Sequence, residues 1–337
     1  MNHLTNWADL PDDVWDRCLD RAIRLKAAQA WPRTATDRAL ALVFLNPSLR
    51  TRASMELAAA RLGAASVTLT PGTGTWGLEW RDGVVMDGEA AEHVREAIGV
   101  LGRYADAVGV RTFASLRDYD ADHADGAFRA IVAASEVPVV NLESARWHPC
   151  QALADAAALR DTLGDPRGKK FVLQWAPHLR PLPQAVPNSA LLMAARLGME
   201  VLVSRPDGFG LSSDVMETAR EAAARSGGSV VETADRDLGL MGAHAVYVKA
   251  WSGDLVYDNP DEEARRRAEH TGWRLGESDF LKTDQAAFMH CLPVRRDVVV
   301  GADVIDSARA IHLLQAEYRL FAQMAVLEWL WDLPPSG

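Results

Sequence analysis

The sequence predicts an α/β protein of two domains, each a parallel sheet covered by helices. Three observations carry that prediction. Apolar runs of strand length alternate with helical patterns from one end of the chain to the other. The runs seldom alternate apolar with polar, as expected of parallel strands buried on both faces. The chain has 337 residues, and at roughly 100–200 residues per domain two domains are the natural division.

The elements follow in order. Pro11, Asp12 and Asp13 open the first helix, with proline and acids in its first turn. A strand over 39–45 leads to a helix over 51–62 and a strand over 66–70. A helix over 92–103 precedes strands over 107–111 and 137–142. The boundary falls near 145–147, just before a helix over 149–163. Strands over 171–175, 200–204, 229–232, 245–249 and 287–292 build the second sheet, with helices over 187–197 and 213–226 between them. The last helical stretch covers 315–330. The expected domains are therefore 1–146 and 147–314, with a C-terminal helix over 315–334 packing back on the first. Two domains of similar build suggest a site in the cleft between them.

Composition narrows the function classes. Acidic side chains number 46 and basic ones 36, a net charge of −10, and the pI is near 5.4. Both argue against a nucleic-acid or anionic-membrane partner, which would reward a basic surface. With 48% hydrophobic and 24% charged residues, disorder, collagen and coiled coil are excluded. No apolar run reaches the ~18–20 residues of a membrane span, and the N-terminus lacks the basic and apolar regions of a secretory signal. Cys18, Cys150 and Cys291 are too few and too scattered for a disulfide framework or a zinc site. A reducing, cytoplasmic location is expected.

Three motifs carry chemistry. The first is Ser48-Leu49-Arg50-Thr51-Arg52, set between a strand and a helix. The unpaired N–H groups of a helix's first turn favour an anion. The hydroxyls of Ser48 and Thr51 and the guanidinium forks of Arg50 and Arg52 suit phosphate oxygens. Taken alone, the same residues also fit an N-cap serine followed by surface arginines. The second motif is Asn141-Leu142-Glu143, then His148-Pro149-Cys150-Gln151 through Asp155, again at a strand end and helix start. There His148 and Gln151 suit a developing oxyanion, although an isolated pair is more often a capping histidine and a solvated glutamine. The third is His290-Cys291-Leu292-Pro293, followed by Arg295 and Arg296. A strand stopping at proline exposes carbonyls that accept from an amide NH₂, and the thiol itself fits a buried core position.

Together these motifs resemble the transcarbamoylase family, the aspartate and ornithine carbamoyltransferases and their relatives. Ser-x-Arg-Thr-Arg is matched at 48–52, His-Pro-x-Gln-x-x-x-Asp at 148–155, and the ornithine-type His-Cys-Leu-Pro at 290–293. They stand in the family's order, and the resemblance covers essentially the whole chain. It implies carbamoyl phosphate as donor, held by Ser48, Leu49, Arg50, Thr51, Arg52, Arg111, His148, Gln151, Leu292 and Arg295. The catalytic set it implies is Thr51, Arg111, His148, Gln151 and Cys291, with the carbonyls of Cys291 and Leu292 orienting the carbamoyl NH₂. No cofactor and no metal is implied.

The acceptor side departs from ordinary ornithine carbamoyltransferases, which carry a Ser-Met-Gly loop. Here the strand ending at Lys249 runs into Ala250-Trp251-Ser252-Gly253. A lysine suits a carboxylate and repels a free ammonium. This resembles the N-acyl-ornithine carbamoyltransferases, as do Trp76, Met86-Asp87-Gly88, Glu143 and the proline-rich 178–183 loop. The resemblance implies an N-acetyl- or N-succinyl-ornithine acceptor bound by Trp76, Glu143, His178, Lys249, Cys291, Leu292 and Arg295. It also implies a place in arginine biosynthesis and a homotrimer in which Trp76 reaches a neighbour's site. Acetyl-specific members have a glutamate where Ala91 stands, which favours an acidic acyl group here. The lysine that some acetyl-specific members carry after His-Cys-Leu-Pro is absent from 297–300. A transcarbamoylase of ornithine or another amine, and a non-catalytic regulatory paralogue, are the alternatives.

Other features have plainer readings. Gly72-Thr73-Gly74-Thr75-Trp76-Gly77 matches a dinucleotide fingerprint in form, but no amphipathic helix follows, so it reads as a mobile loop. Arg265-Arg266-Arg267 beside Glu262-Glu263 reads as a solvated helix face.

Overall fold

The computed structural model describes residues 2–28, 30–31 and 33–333. Pro334, the last residue of the expected C-terminal helix, and Met1, the first of the expected N-terminal domain, lie outside the described residues. The chain divides into two compact units. One takes Ser115 and what precedes it, Asp120–Leu153, and the chain from Tyr318 on; the other takes Leu116–Tyr119 and Ala154–Glu317.

The first part of the chain runs α1 (Asp12–Ala27), β1 (Ala39–Phe44), α2 (Leu49–Leu62), β2 (Ala65–Leu69), β3 (Gly77–Glu79), β4 (Ala90–His93), α3 (Val94–Tyr104) and β5 (Ala107–Arg111). It continues through α4 (Tyr119–His123), α5 (Gly126–Ala134), β6 (Val139–Glu143) and α6 (Pro149–Leu163). The sheet order is β2-β1-β5-β6, and every pairing is parallel. Strands β5 and β6 are buried along their whole length, which explains their unalternated apolar sequence. Ala41, Val43, Val108, Val110 and Val139 pack with Ile98 of α3 and Phe128 and Ile131 of α5 into one core. Because β1 lies between β2 and β5, the chain leaves it in opposite directions on its two sides. Ligands of open α/β sheets bind beyond the carboxyl ends of strands at such a switch point.

The second part runs β7 (Lys170–Trp175), α7 (Ala185–Arg196), β8 (Glu200–Ser204), α8 (Ser213–Ser226), β9 (Ser229–Thr233), α9 (Arg236–Leu240) and β10 (Ala245–Lys249). Then come α10 (Leu255–Asp258), α11 (Pro260–Glu269), β11 (Ala287–Met289), α12 (Ala302–Ile305) and α13 (His312–Leu330). The sheet order is β11-β10-β7-β8-β9, again parallel throughout. Its switch point lies between β7 and β10. Helix α7 is buried from Ala185 to Ala195, so its apolar residues show no stripe. No helix among the described residues is long and apolar enough to cross a membrane.

Several sequence expectations change. The last strand ends at Met289, not at 292, because the N–H of His290 leaves the ladder and donates to Gln315 Oε1 at 2.9 Å. Cys291 therefore lies beyond the core strand and is partly exposed. The 72–77 segment is not a loop throughout: Gly74 N–H donates to Thr70 O at 2.8 Å, and Gly77 begins a strand paired with β4. That pairing, and the capping of α3 by His93, start the helix at Val94. Finally, Arg265 and Arg266 are solvated but Arg267 is not: it is buried in an ion pair with Glu263 at 3.0 Å.

Candidate active site

The first group of residues assembles beyond the carboxyl ends of β1, β5 and β6. These ends are stitched together: Leu45 N–H donates to Arg111 O at 3.0 Å, and Thr112 N–H to Glu143 O at 2.7 Å. Phe113 N–H donates to Asn46 Oδ1 at 2.7 Å. Ser48 caps α2, accepting from Thr51 N–H at 3.2 Å, so the other first-turn N–H groups stay available to an anion. Leu49 is exposed and Thr51 buried. Arg52 is largely exposed and paired with Glu56 at 3.0 Å.

Arg111 ends β5, where an irregularity between Val110 and Arg111 shifts the register against β6 and sets Arg111 opposite Glu143. The two side chains are buried and paired, Arg111 Nη1 donating to Glu143 Oε2. Arg111 stacks over Phe113 at 4.4 Å and keeps a buried Nε–H with no hydrogen-bond partner. His148 is buried with its Nε2 3.5 Å from Glu143 Oε2. Burial, then the Arg319, Arg111 and Arg50 cations, hold its pKa well below the usual histidine value. The ring is therefore neutral at neutral pH. Gln151 sits in the first turn of α6, its N–H donating to His148 O at 3.0 Å. Burial pushes the Cys150 thiol up to about 12, which makes it an inert packing group.

Sequence reasoning missed Arg319. It lies on α13, is 3% exposed, and donates to Gln151 Oε1 at 2.7 Å and Thr51 Oγ1 at 3.0 Å. Its Nη1 is also 3.4 Å from His148 Nε2. One guanidinium thus ties the first motif to the second. Its only sequence signal was a lone arginine inside an apolar helical stretch.

The second group lies beyond the carboxyl ends of β7, β10 and β11. Ala176 N–H donates to Lys249 O at 3.0 Å and joins the first two. His178 follows β7, and Lys249 ends β10. The His178 pKa is lowered mainly by burial, with Lys249, Arg295 and Arg267 adding positive field and the Arg180 backbone opposing it. Arg267 Nη1 donates to His178 O at 2.6 Å. This is a positive environment suited to a carboxylate. Leu292 has φ of +57°, a left-handed conformation uncommon for leucine, and its N–H donates to His290 Nδ1 at 2.8 Å. Arg295 is exposed. Trp251 is buried and donates to Phe209 O at 2.9 Å, which makes it a structural residue. Trp76 is 61% exposed, and its indole N–H donates to Glu92 Oε2 at 2.6 Å.

Comparison with known proteins places the whole chain in one family. Residues 2–161 match the carbamoyl-P binding domain of aspartate/ornithine carbamoyltransferases, and residues 183–330 match their Asp/Orn binding domain. The chain is 42% identical over 331 residues to N-acetylornithine carbamoyltransferase of Xanthomonas campestris pv. campestris, covering 97% of each. It is 36% identical over 299 residues to N-succinylornithine carbamoyltransferase of Bacteroides fragilis, covering 89% of each. A crystal structure of acetylornithine transcarbamylase complexed with acetylcitrulline superposes with a TM-score of 0.94 at 39% identity, covering 98% of this chain and 99% of that one. With both domains matched, the chain belongs to the aspartate/ornithine carbamoyltransferase family.

Proposed function

We propose that this protein transfers the carbamoyl group of carbamoyl phosphate to the δ-amino group of an N-acyl-L-ornithine, releasing N-acyl-L-citrulline and phosphate. The observation that carries the reading is the buried cluster of Thr51, Arg111, His148, Gln151 and Arg319 beside the Ser48 cap. Such a cluster has no use in packing, since buried charges cost more than apolar residues of the same volume. It suits a dianion with a carbonyl attached. Ser48, Leu49, Arg50, Thr51 and Arg52 hold the phosphate, and Arg111 reaches phosphate and carbonyl oxygen.

The neutral δ-amine attacks the carbamoyl carbon. As the carbonyl oxygen gains charge, Arg111, Thr51 and His148 stabilise it, and Gln151 fixes the carbamoyl group. A histidine with a depressed pKa donates a hydrogen bond without surrendering its proton, which suits that role. A lysine-like amine has a pKa of about 10, so the δ-ammonium sheds one proton on or before binding; attack makes the nitrogen cationic again, and the departing phosphate accepts the second proton it then loses. The carbonyls of Cys291 and Leu292 orient the carbamoyl NH₂.

Acceptor choice rests on His178, Lys249 and Arg295. Their shared positive field attracts the α-carboxylate and disfavours a free α-ammonium. Ala91 is exposed and carries no charge, so a succinyl group meets no carboxylate at that position. Glu143 and Trp76 complete the acceptor contacts, Trp76 from a neighbouring subunit of a homotrimer.

The test is an acceptor panel with carbamoyl phosphate, read as ureido product and released phosphate. N-acyl-ornithines are expected to react far faster than ornithine, with the succinyl form at least as good as the acetyl form. Comparable kcat/KM for ornithine overturns the acyl assignment. Strong preference for acetyl removes the role given to Ala91 and points to Glu92. Silence with every amine leaves a non-catalytic paralogue.

A further inference from the structure

Asp155 closes the His-Pro-x-Gln-x-x-x-Asp motif, yet none of the roles above uses it. It is 1% exposed and sits on α6 one helical turn beyond Gln151. It pairs with Gln315 of α13, wholly buried, whose Nε2 donates to Asp155 Oδ1 at 2.7 Å. The other end of the same amide, Oε1, accepts the His290 N–H at 2.9 Å. His290 is also buried, and its Nδ1 accepts the Leu292 N–H at 2.8 Å. Three hydrogen bonds thus run without a break from Asp155 to the turn that bears the carbonyls of Cys291 and Leu292.

The direction of each bond is fixed. A backbone N–H can only donate, so the Gln315 oxygen must face His290 and its NH₂ must face Asp155. A carboxylate accepts only, which suits that NH₂ and leaves no competing orientation. The His290 ring must likewise carry its proton on Nε2, since Nδ1 accepts. Gln315 is the reason β11 stops at Met289: it takes the N–H that would have extended the ladder. The turn then continues through Leu292 at φ +57°, a conformation that persists only where its surroundings impose it.

We propose that Asp155 and Gln315 are positioning residues for carbamoyl transfer: Asp155 sets the Gln315 amide, and the amide sets the 290–292 turn whose carbonyls orient the carbamoyl NH₂. Neither touches substrate. The proposal rests on the functional reading above and deepens it. A carbonyl displaced by an ångström misorients the reacting carbon, and misplacement of that size costs about 10²-fold in rate.

Gln315→Glu tests it. The new carboxylate still accepts from His290 but faces Asp155 with like charge. Expected is a fall in kcat of about 10²-fold, with inorganic phosphate binding by calorimetry unchanged. Adding Asp155→Asn supplies an NH₂ that donates to the new carboxylate and reverses the pair's polarity, and it should recover most of the loss. Gln315→Met, which removes both bonds without adding charge, is read the same way should the first variant not fold. Amide hydrogen exchange at Leu292, measured without substrate, should quicken in both single variants. Normal kcat in the single variants, a double variant no faster than Gln315→Glu, or unchanged Leu292 exchange each overturns the proposal. A wild-type protein inert with every acceptor overturns the functional reading instead, and the exchange measurement still reads the positioning.

Discussion

Arg319 sets one guanidinium against Gln151 at 2.7 Å, Thr51 at 3.0 Å and His148 at 3.4 Å. Replacing it by methionine keeps the stem and removes the donors. Gln151 and Thr51 then lose the group that orients them, and the loss of one such donor typically costs about 10²–10³-fold in turnover. Arg319→Met is expected to lower kcat/KM for carbamoyl phosphate on that scale; steady-state kinetics near wild type would remove it from the cluster. His148 gives a pH prediction. Its folded pKa is depressed by burial first and by Arg319, Arg111 and Arg50 after. Below the unfolded value of about 6.5 the unfolded chain takes up a proton that the folded protein refuses. Stability is therefore full above that pH and is lost as pH falls toward the folded pKa. Urea midpoints measured from pH 7 to 5 should fall, and less steeply in His148→Gln. Equal slopes in the two proteins would contradict the depressed pKa.

At the scale of the element, β5 both builds the first sheet and delivers Arg111, so its packing and its chemistry are linked. Gly109 sits in its middle, between β1 and β6. A Cβ there would lie 2.7 Å from Leu42 Cδ2 and 3.0 Å from Leu142 Cδ1. Both neighbours are core side chains with nowhere to retreat. Gly109→Ala should therefore cost about 1–3 kcal/mol by overpacking. Gly99, on α3, has nothing within 4 Å of its Cβ position. Gly99→Ala should be neutral or stabilise by up to about 1 kcal/mol through helix propensity. Denaturant midpoints of the two variants should move in opposite directions or one not at all; equal losses would show that sheet packing is not the cause.

For the whole molecule, the segment around Trp76 is the feature a single chain does not account for. Trp76 is 61% exposed, and Val85 nearby in sequence is 77% exposed, with Val84 and Met86 also exposed. Apolar groups clustered on an exposed segment mark an interaction surface. In the proposed homotrimer they are covered by a neighbour, and Trp76 completes the neighbour's acceptor site. Light scattering should give about three times the 36.8 kDa chain mass. An active monomer would contradict the shared site.

The sequence by itself determined the class of fold and the family to which the chain belongs. Strands over 107–111, 200–204 and 245–249 stand where the apolar runs put them, because burial of most of their residues leaves a local compositional trace. Ser48 and Thr51 were legible because a cap and a first turn lie within four residues of each other. Tertiary structure alone decided the rest. Arg319 meets Thr51 across 268 positions of chain, and Gln315 meets Asp155 across 160. No periodicity records such pairs. The end of β11 was misread for the same reason: His290 gives its N–H to a side chain 25 residues away, and a ladder ends when its donor finds another acceptor. Arg267 sits in a run of charge yet is buried, since Glu263 and the His178 carbonyl satisfy it. Local pattern fixes which residues seek burial; only the assembled fold decides which polar groups find the partners that permit it.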